Sequence, residues 1–222
     1  MNPAIRRIEW DSAAFGRDCF EIDGLGEEAL QEAARRPGHY TIKVDPLVSK
    51  ALLDRHGFYY CDTLIEPFCT RERFTGHPDA RAQCSRATEF GAVLAVCHGA
   101  FRHGRFHRDF HLSPEQADLR YDRWLGQMHA AGNVYGLTFE GQLAGFIAVD
   151  AARLVLHAMA AAYRGRGIAK YLWTAVCEDL YRQGHAELSS SISAANVAAV
   201  NLYATLGFRL RRPVDVYHRW TP

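Results

Sequence analysis

The chain has 222 residues, 48% hydrophobic and 12% aromatic, enough to bury one large core or two small ones. Lys and Arg total 26 against 25 Asp and Glu, so bulk charge points to neither nucleic acid nor a membrane surface as a partner. Six cysteines, at positions 19, 61, 69, 84, 97 and 177, include no Cys-x-x-Cys pair, which argues against a zinc ribbon or redox dithiol and for reduced, buried thiols. The N-terminal segment lacks the apolar core of a signal peptide and no stretch reaches the length of a membrane span, so the expected compartment is the cytoplasm.

Residues 5–16 include Glu9-Trp10-Asp11-Ser12-Ala13-Ala14-Phe15-Gly16, whose aromatics follow no clean period. A helix is predicted from Glu27 to Arg36, ended by Pro37-Gly38, followed by a strand in which Tyr40, Ile42 and Val44 alternate. Asp45-Pro46 can cap and begin a helix over Leu47–His56, with Gly57 as its stop, and Phe58–Phe68 reads as one or two strands. Residues 70–83 carry charges, Gly76 and Pro78 with little periodicity, and are assigned as a linker. The chain is accordingly divided into a half-domain over 1–75 and a main domain over 84–222.

In the main domain Thr88 can cap a helix whose Phe90, Val93, Leu94, Cys97 and Phe101 share one face. A loop dense in donors and aromatics follows, Arg102 to His111. Ser113-Pro114-Glu115-Gln116 is a capping-box start for a helix that buries Ala117, Tyr121, Trp124 and Met128 and stops at Gly132. Residues 134–139 and 142–149 read as strands joined at Glu140-Gly141. Leu154 to Ala160 is a short apolar run, read as a buried strand. Ala186, Leu188, Ser190 and Ile192 alternate as a strand, Asn196–Leu206 is a helix, and two strands close the chain, the second with Val214, Val216, His218 and Trp220 in alternation. The order helix, strand, helix, Gly-Phe, strand thus occurs in both parts. This is either a truncated copy of half the later fold or the chance recurrence of a common junction.

Between the apolar strand and a helix carrying Ile168, Leu172, Ala175, Val176 and Leu180 lies Tyr163-Arg164-Gly165-Arg166-Gly167-Ile168-Ala169. A helix start offers unpaired N–H groups and the positive end of a dipole, and two glycines let an anion approach them, so this loop is read as a phosphate grip. It is not a P-loop, because Lys170 follows Ala169 and precedes Tyr171. Nor is it a dinucleotide fingerprint, whose third small residue would stand where Lys170 does. The stretch resembles the Arg-x-x-Gly-x-Gly/Ala signature of the GCN5-related N-acetyltransferases (GNAT), with Arg164, Gly167 and Ala169 on its defining positions. A second stretch, Asn196-Val-Ala-Ala199-Val-Asn-Leu202-Tyr203-Ala-Thr-Leu206-Gly207-Phe208, is similar to that family's Asn-x-x-Ala-x-x-Leu-Tyr-x-x-x-Gly-Phe signature.

The resemblance spans residues 84–220 and implies an α/β (mixed α+β) GNAT fold, with a mixed, mostly antiparallel central sheet flanked by helices, here preceded by the small α/β half-domain. Glu9 to Gly16 and Gly104-Arg105-Phe106-His107 are similar to segments of the dTDP-fucosamine acetyltransferases, which also carry such a half-domain. That similarity implies acetylation of the amine of a nucleotide-linked amino sugar by direct attack on the thioester of acetyl-CoA. The alternatives are a protein, peptide or other small-molecule amine as acceptor, or a non-catalytic acyl-CoA-binding module.

The resemblance assigns the pyrophosphate to the N–H groups of Gly165 to Ala169, with charge from Arg164 and Arg166, and gives Asn196 to the pantetheine arm unless it is simply a helix cap. It implies that the strand Leu154 to Ala160 splays from its neighbour near Met159, freeing a backbone N–H to polarise the thioester carbonyl. Tyr203 lies on the general-acid position. The family's usual glutamate base has no counterpart on this strand; His157, Asp150, a water chain or an amine arriving neutral remain as candidates. Arg102, Arg105 and His107 are assigned to the acceptor, whose phosphates need cations. His103, His107 and His111 recur every four residues, but Gly104 favours a loop over a metal-binding helix, and no metal is expected. The sequence allows a homodimer without requiring one.

Overall fold

In the computed structural model the described residues are Asn2 and 4–222. In chain order the elements are β1 (Ile5–Arg7), α1 (Glu9–Phe15), β2 (Cys19–Ile22), α2 (Glu27–Arg35), β3 (Gly38–Val44), α3 (Ala51–Arg55), β4 (Tyr59–Thr70), β5 (Ala82–Ser85), α4 (Phe90–Cys97) and α5 (Pro114–Ala130). There follow β6 (Val134–Phe139), β7 (Gln142–Asp150), β8 (Arg153–Met159), a 3₁₀ turn at Ala161–Tyr163, α6 (Ala169–Arg182), β9 (Glu187–Ser190), β10 (Ile192–Ser193), α7 (Val197–Thr205) and β11 (Arg209–Thr221). One mixed sheet holds all the strands, in the order β1-β2-β3-β11-β4-β9-β8-β7-β6-β5, with β10 paired to β4. Among the described residues only β2–β3 and β8–β9 are parallel; the other pairs are antiparallel, as the resemblance implied.

The unbroken apolar run of β7 is explained by burial on both faces. Ile147 and Val149 pack against α6 residues such as Leu172 and Val176, while the alternating Phe146 and Ala148 face Val93 on α4 and Leu125 on α5. The capping box at Ser113 forms as read, with Ser113 Oγ accepting from the Gln116 N–H and Gln116 returning a bond to the Ser113 N–H. Glu140 and Gly141 both take positive φ, 53° and 77°, the geometry of a two-residue hairpin turn.

Four local readings change. Glu9 to Phe15 forms a helix although its sequence showed no period, because α1 packs on α5: Asp11 meets Arg120, and Trp10 meets Trp124 edge-to-face at 5.7 Å. Instead of capping a long helix, Asp45 Oδ1 accepts from the Leu47 N–H in a turn, and α3 begins only at Ala51. Thr88 is not the cap of α4, whose N-cap is Glu89, and Phe101 lies beyond the helix. The two closing strands are a single strand, β11, irregular between Arg211 and Val214 where Arg212 takes φ 50°.

The linker is packed rather than loose. Phe74 joins the core under α6, the Thr75 N–H donates to Leu206 O, and the His77 N–H donates to Thr174 Oγ1. Gly207, at φ 83°, lets it pass: a Cβ there would stand 2.3 Å from Arg73 O. All six cysteines are unpaired.

Candidate active site

β8 runs beside β9 only at Arg153↔Ser189 and Leu154↔Ser190. Beyond Leu154 the two strands part: β9 and β10 continue along β4 in one register, while β8 no longer pairs with them. Residues 155–159 of β8 therefore have β7 on one side and an opening on the other. A cavity of about 650 Å³ fills the opening, bounded by β8, the 163–169 loop, the N-terminus of α7, Asp62 and Leu64 of β4, and the connection between α4 and α5.

The Ala160 N–H donates to Ala144 O, so the alternation of an antiparallel ladder turns the Met159 N–H and carbonyl away from β7, toward the opening. Arg164 Nε donates to the Met159 carbonyl at 2.9 Å. This ties the loop to the end of β8 and leaves the Met159 N–H facing the gap. Gly145 permits the close passage of the two strands, for a Cβ would lie 2.6 Å from Ala158 O.

The loop itself presents donors. Among the described residues no hydrogen-bond acceptor meets the N–H groups of Gly165, Arg166, Gly167, Ile168, Ala169 or Lys170. Gly165 and Gly167 take φ 72° and 71°, and nothing lies within 4 Å of where a Cβ would stand on either. The result is a bare cradle of N–H groups at the positive end of the 14-residue helix α6. Ile168 anchors it by burying its side chain in the core, whereas Arg166 is exposed and lies over the Tyr163 ring.

His157 lines the cavity; Tyr203 does not, being fully buried behind it. The Tyr203 hydroxyl and His157 Nε2 are 3.0 Å apart, and Trp173 packs edge-on to the imidazole. Burial lowers the His157 pKa to about 4 and raises that of Tyr203, so both are neutral near pH 7. A neutral imidazole with so low a pKa is a poor acceptor for the proton of an ammonium group, which weighs against His157 as the base. Asp150 lines the cavity from the end of β7 but is exposed. Asn196 caps α7, its Oδ1 accepting from the Ala199 N–H at 3.2 Å, and also lines the cavity.

The basic loop divides. Arg105 lines the cavity together with His103 and Phe106, and also lines a neighbouring cleft of about 460 Å³ with Arg6, Arg7, Lys43 and Arg120. Glu21 pairs with Arg6 and Lys43, Asp18 with Arg7, and Asp11 with Arg120; Arg105 has no carboxylate partner among the described residues. Arg102 is exposed and lines neither space, and His107 is held away by Asp118 at 2.8 Å while stacking on Tyr121. The three loop histidines do not converge: His111 bonds Tyr59, and His103 faces the cavity.

A different cluster is buried. His39 Nε2 and His218 Nδ1 lie 2.8 and 2.7 Å from Asp109 Oδ2, while Tyr59 O–H and the His111 N–H donate to Oδ1. Burial works to raise the Asp109 pKa, but hydrogen bonds from His218 and His39 outweigh it and hold the carboxyl well below its ordinary range. The three groups lie close enough to hold a metal ion; both Asp109 oxygens are already bonded, whereas His218 Nε2 is buried without a hydrogen-bond partner among the described residues, and the set clamps β3, the α4–α5 connection and β11 together. Sequence spacing could not reveal it, because its members are separated by 70 and 109 residues.

Residues 113–217 match the family described as an acetyltransferase (GNAT) domain. Over these residues the chain is similar to the GNAT acetyltransferases. The spore coat polysaccharide biosynthesis protein SpsD of Bacillus subtilis (strain 168) is 27% identical over 135 residues, which are 58% of this chain and 47% of that protein. The matched segment thus spans less than half the length of this relative. Among solved structures, a GCN5-related N-acetyltransferase from Sphaerobacter thermophilus superposes with a TM-score of 0.67 at 15% identity, over 98% of this chain and 76% of its own. A tandem GNAT protein from the clavulanic acid biosynthesis pathway gives 0.56 at 14% identity, over 91% and 75%. These likenesses are of fold. Among the described residues no helix is long and apolar enough to cross a membrane.

Proposed function

We propose that the parted strands β8 and β9 enclose the site of an acetyl-CoA-dependent N-acetyltransferase whose acceptor is the amine of a nucleotide-linked amino sugar. The observation that carries the first half is the cradle at 165–170: consecutive open N–H groups, at a helix N-terminus, on the rim of a cavity that ends at an outward-facing strand N–H. That donor set suits the pyrophosphate of coenzyme A. Acetyl-CoA supplies the activated carbonyl. The chain's residues supply the rest. The N–H groups of Gly165 to Ala169 hold phosphate oxygens, and Arg164 keeps the loop docked on β8 rather than reaching for phosphate itself. The Met159 N–H is poised for the carbonyl oxygen as negative charge develops there. Asn196 sets the start of α7 along the pantetheine path. Tyr203 acts as the acid through His157, which presents the pair to the cavity and shields the hydroxyl from water.

The acceptor half rests on Arg105. It is an uncompensated cation shared by the cavity and the basic cleft, and its Nε is buried without a hydrogen-bond partner. A diphosphate lying between the two spaces would satisfy it. SpsD, by its description a polysaccharide-biosynthesis protein, supports a sugar acceptor. In this reading residues 1–75 form the half-domain that completes the acceptor side and residues 84–222 the acetyltransferase domain. Arg105→Ala should raise KM for dTDP- or UDP-linked amino sugars about tenfold or more, the loss of one charge-assisted contact, and leave KM for acetyl-CoA unchanged. Unaltered acceptor KM in steady-state assays would remove the diphosphate from this site.

A further inference from the structure

Asp62 stands on β4, the strand that the N-terminal half contributes to the middle of the sheet. It lies near the point where β10, continuing the course of β9 along β4, pairs with Ile65 and Leu64 and β8 has parted from them. Its side chain is fully buried, yet the residue lines the cavity. Oδ1 accepts from Ser193 Oγ at 2.7 Å and from Arg108 Nη1 at 3.0 Å. Oδ2 is buried with no hydrogen-bond partner among the described residues. Leaving a buried charged acceptor unpaired costs about 1–3 kcal/mol or more, so such an atom calls for a use. Burial raises the Asp62 pKa, against the opposing pull of Ser193 and Arg108.

We propose that Asp62 is the general base of the acetyl transfer, its Oδ2 receiving the hydrogen of the acceptor's primary amine. The proposal rests on the acetyltransferase reading of the cavity. It fills a role for which Asp150 is too exposed and His157, bonded to the Tyr203 hydroxyl, is already engaged.

The neutral amine attacks the thioester carbonyl carbon, forming the C–N bond. The nitrogen gives one proton to Asp62 Oδ2. The C–S bond then breaks with its electron pair on sulfur, and the thiolate takes a proton from the Tyr203–His157 pair. Asp62 returns its proton to solvent and the acid pair regains one, so the sum is amine plus thioester giving amide plus thiol. Around the carboxylate stand Arg108 and Arg105 from the α4–α5 connection, Tyr121 from α5 and Cys61 beside it on β4. With Ser193, the two arginines oppose the rise that burial gives its pKa. Removing Arg108 therefore has a defined sign: the acidic limb of the rate profile moves to higher pH, because Asp62 ionises later.

The test compares D62N and R108Q with the wild-type enzyme, following thiol release from acetyl-CoA with the best acceptor from a panel of amino sugars and peptides. D62N should lower kcat by about 10²–10⁴-fold, the usual contribution of a general base, while acetyl-CoA still binds within about threefold of wild type. R108Q should carry the acidic limb of the rate profile upward. Wild-type turnover that survives in D62N, or a limb that R108Q leaves in place, overturns the base alone. A wild-type enzyme that acetylates no amine overturns the acetyltransferase reading and the base with it. Should D62N fail to fold, the ¹³C resonance of the wild-type Asp62 carboxyl decides: a midpoint above the ordinary value of about 3.9 supports the proposal, and one at or below it overturns it.

Discussion

Tyr203 and His157 show what a residue does when it is given a partner rather than a surface. Alone, a buried phenol with a raised pKa is a reluctant acid, and an imidazole at about 4 is an inert neutral ring. Joined at 3.0 Å they form a unit in which the imidazole faces the cavity and the hydroxyl stands behind it. The consequence is non-additivity. Tyr203→Phe and His157→Gln should each slow turnover about 10–100-fold with acetyl-CoA affinity unchanged, and the double variant should be little worse than either single one. Independent, multiplying losses in steady-state kinetics would dissolve the pair. Both residues were legible in the sequence, Tyr203 from its motif and His157 from its strand, but their contact was not, because 46 residues separate them. Asp62 was not legible at all: it belongs to the half of the chain that the motifs do not reach, and a lone aspartate in a strand carries no spacing to read.

Among the elements, the loop into α6 matches its sequence most closely. Glycines, a preceding apolar strand and an amphipathic helix dictate a turn whose N–H groups face outward, and that is what forms. Gly167→Ala separates holding the fold from holding the phosphate. Its φ of 71° makes the substitution cost about 1–2 kcal/mol of strain, while the new methyl group meets no protein atom within 4 Å. We expect a folded protein, seen by circular dichroism and a modest fall in Tm, with acetyl-CoA affinity reduced about tenfold or more. Affinity equal to wild type by calorimetry would place the pyrophosphate elsewhere. Elements governed by tertiary contacts read less well. α1 exists because Asp11 and Trp10 meet Arg120 and Trp124, and α3 is short because Asp45 spends its carboxylate on a turn.

Within the sheet two segments of similar order exchange a strand. β2-α2-β3-α3-β4 and β8-α6-β9-α7-β11 follow one order, each opening with a parallel strand pair across a helix. The last strand of each half then pairs with the other half: β4 lies beside β9, and β11 beside β3. The echo of helix, strand, helix, Gly-Phe and strand was visible in the sequence, but the exchange was not. Apolar alternation says that a strand has a buried face without naming its neighbour. The exchange carries Asp62 on β4 to the cavity beside β8. It also explains why the linker is packed, since the chain must return across α6 and α7 to begin β5.

In the proposed reading this shared cavity transfers acetyl from coenzyme A to an amine. Its most direct test is thiol release from acetyl-CoA by the purified wild-type chain, with and without dTDP- and UDP-linked amino sugars, and with mass analysis of the acceptor. Release should depend on the amine, and the product should gain one acetyl group on nitrogen. Tight binding of acetyl-CoA with no amine-dependent release from any acceptor would contradict it.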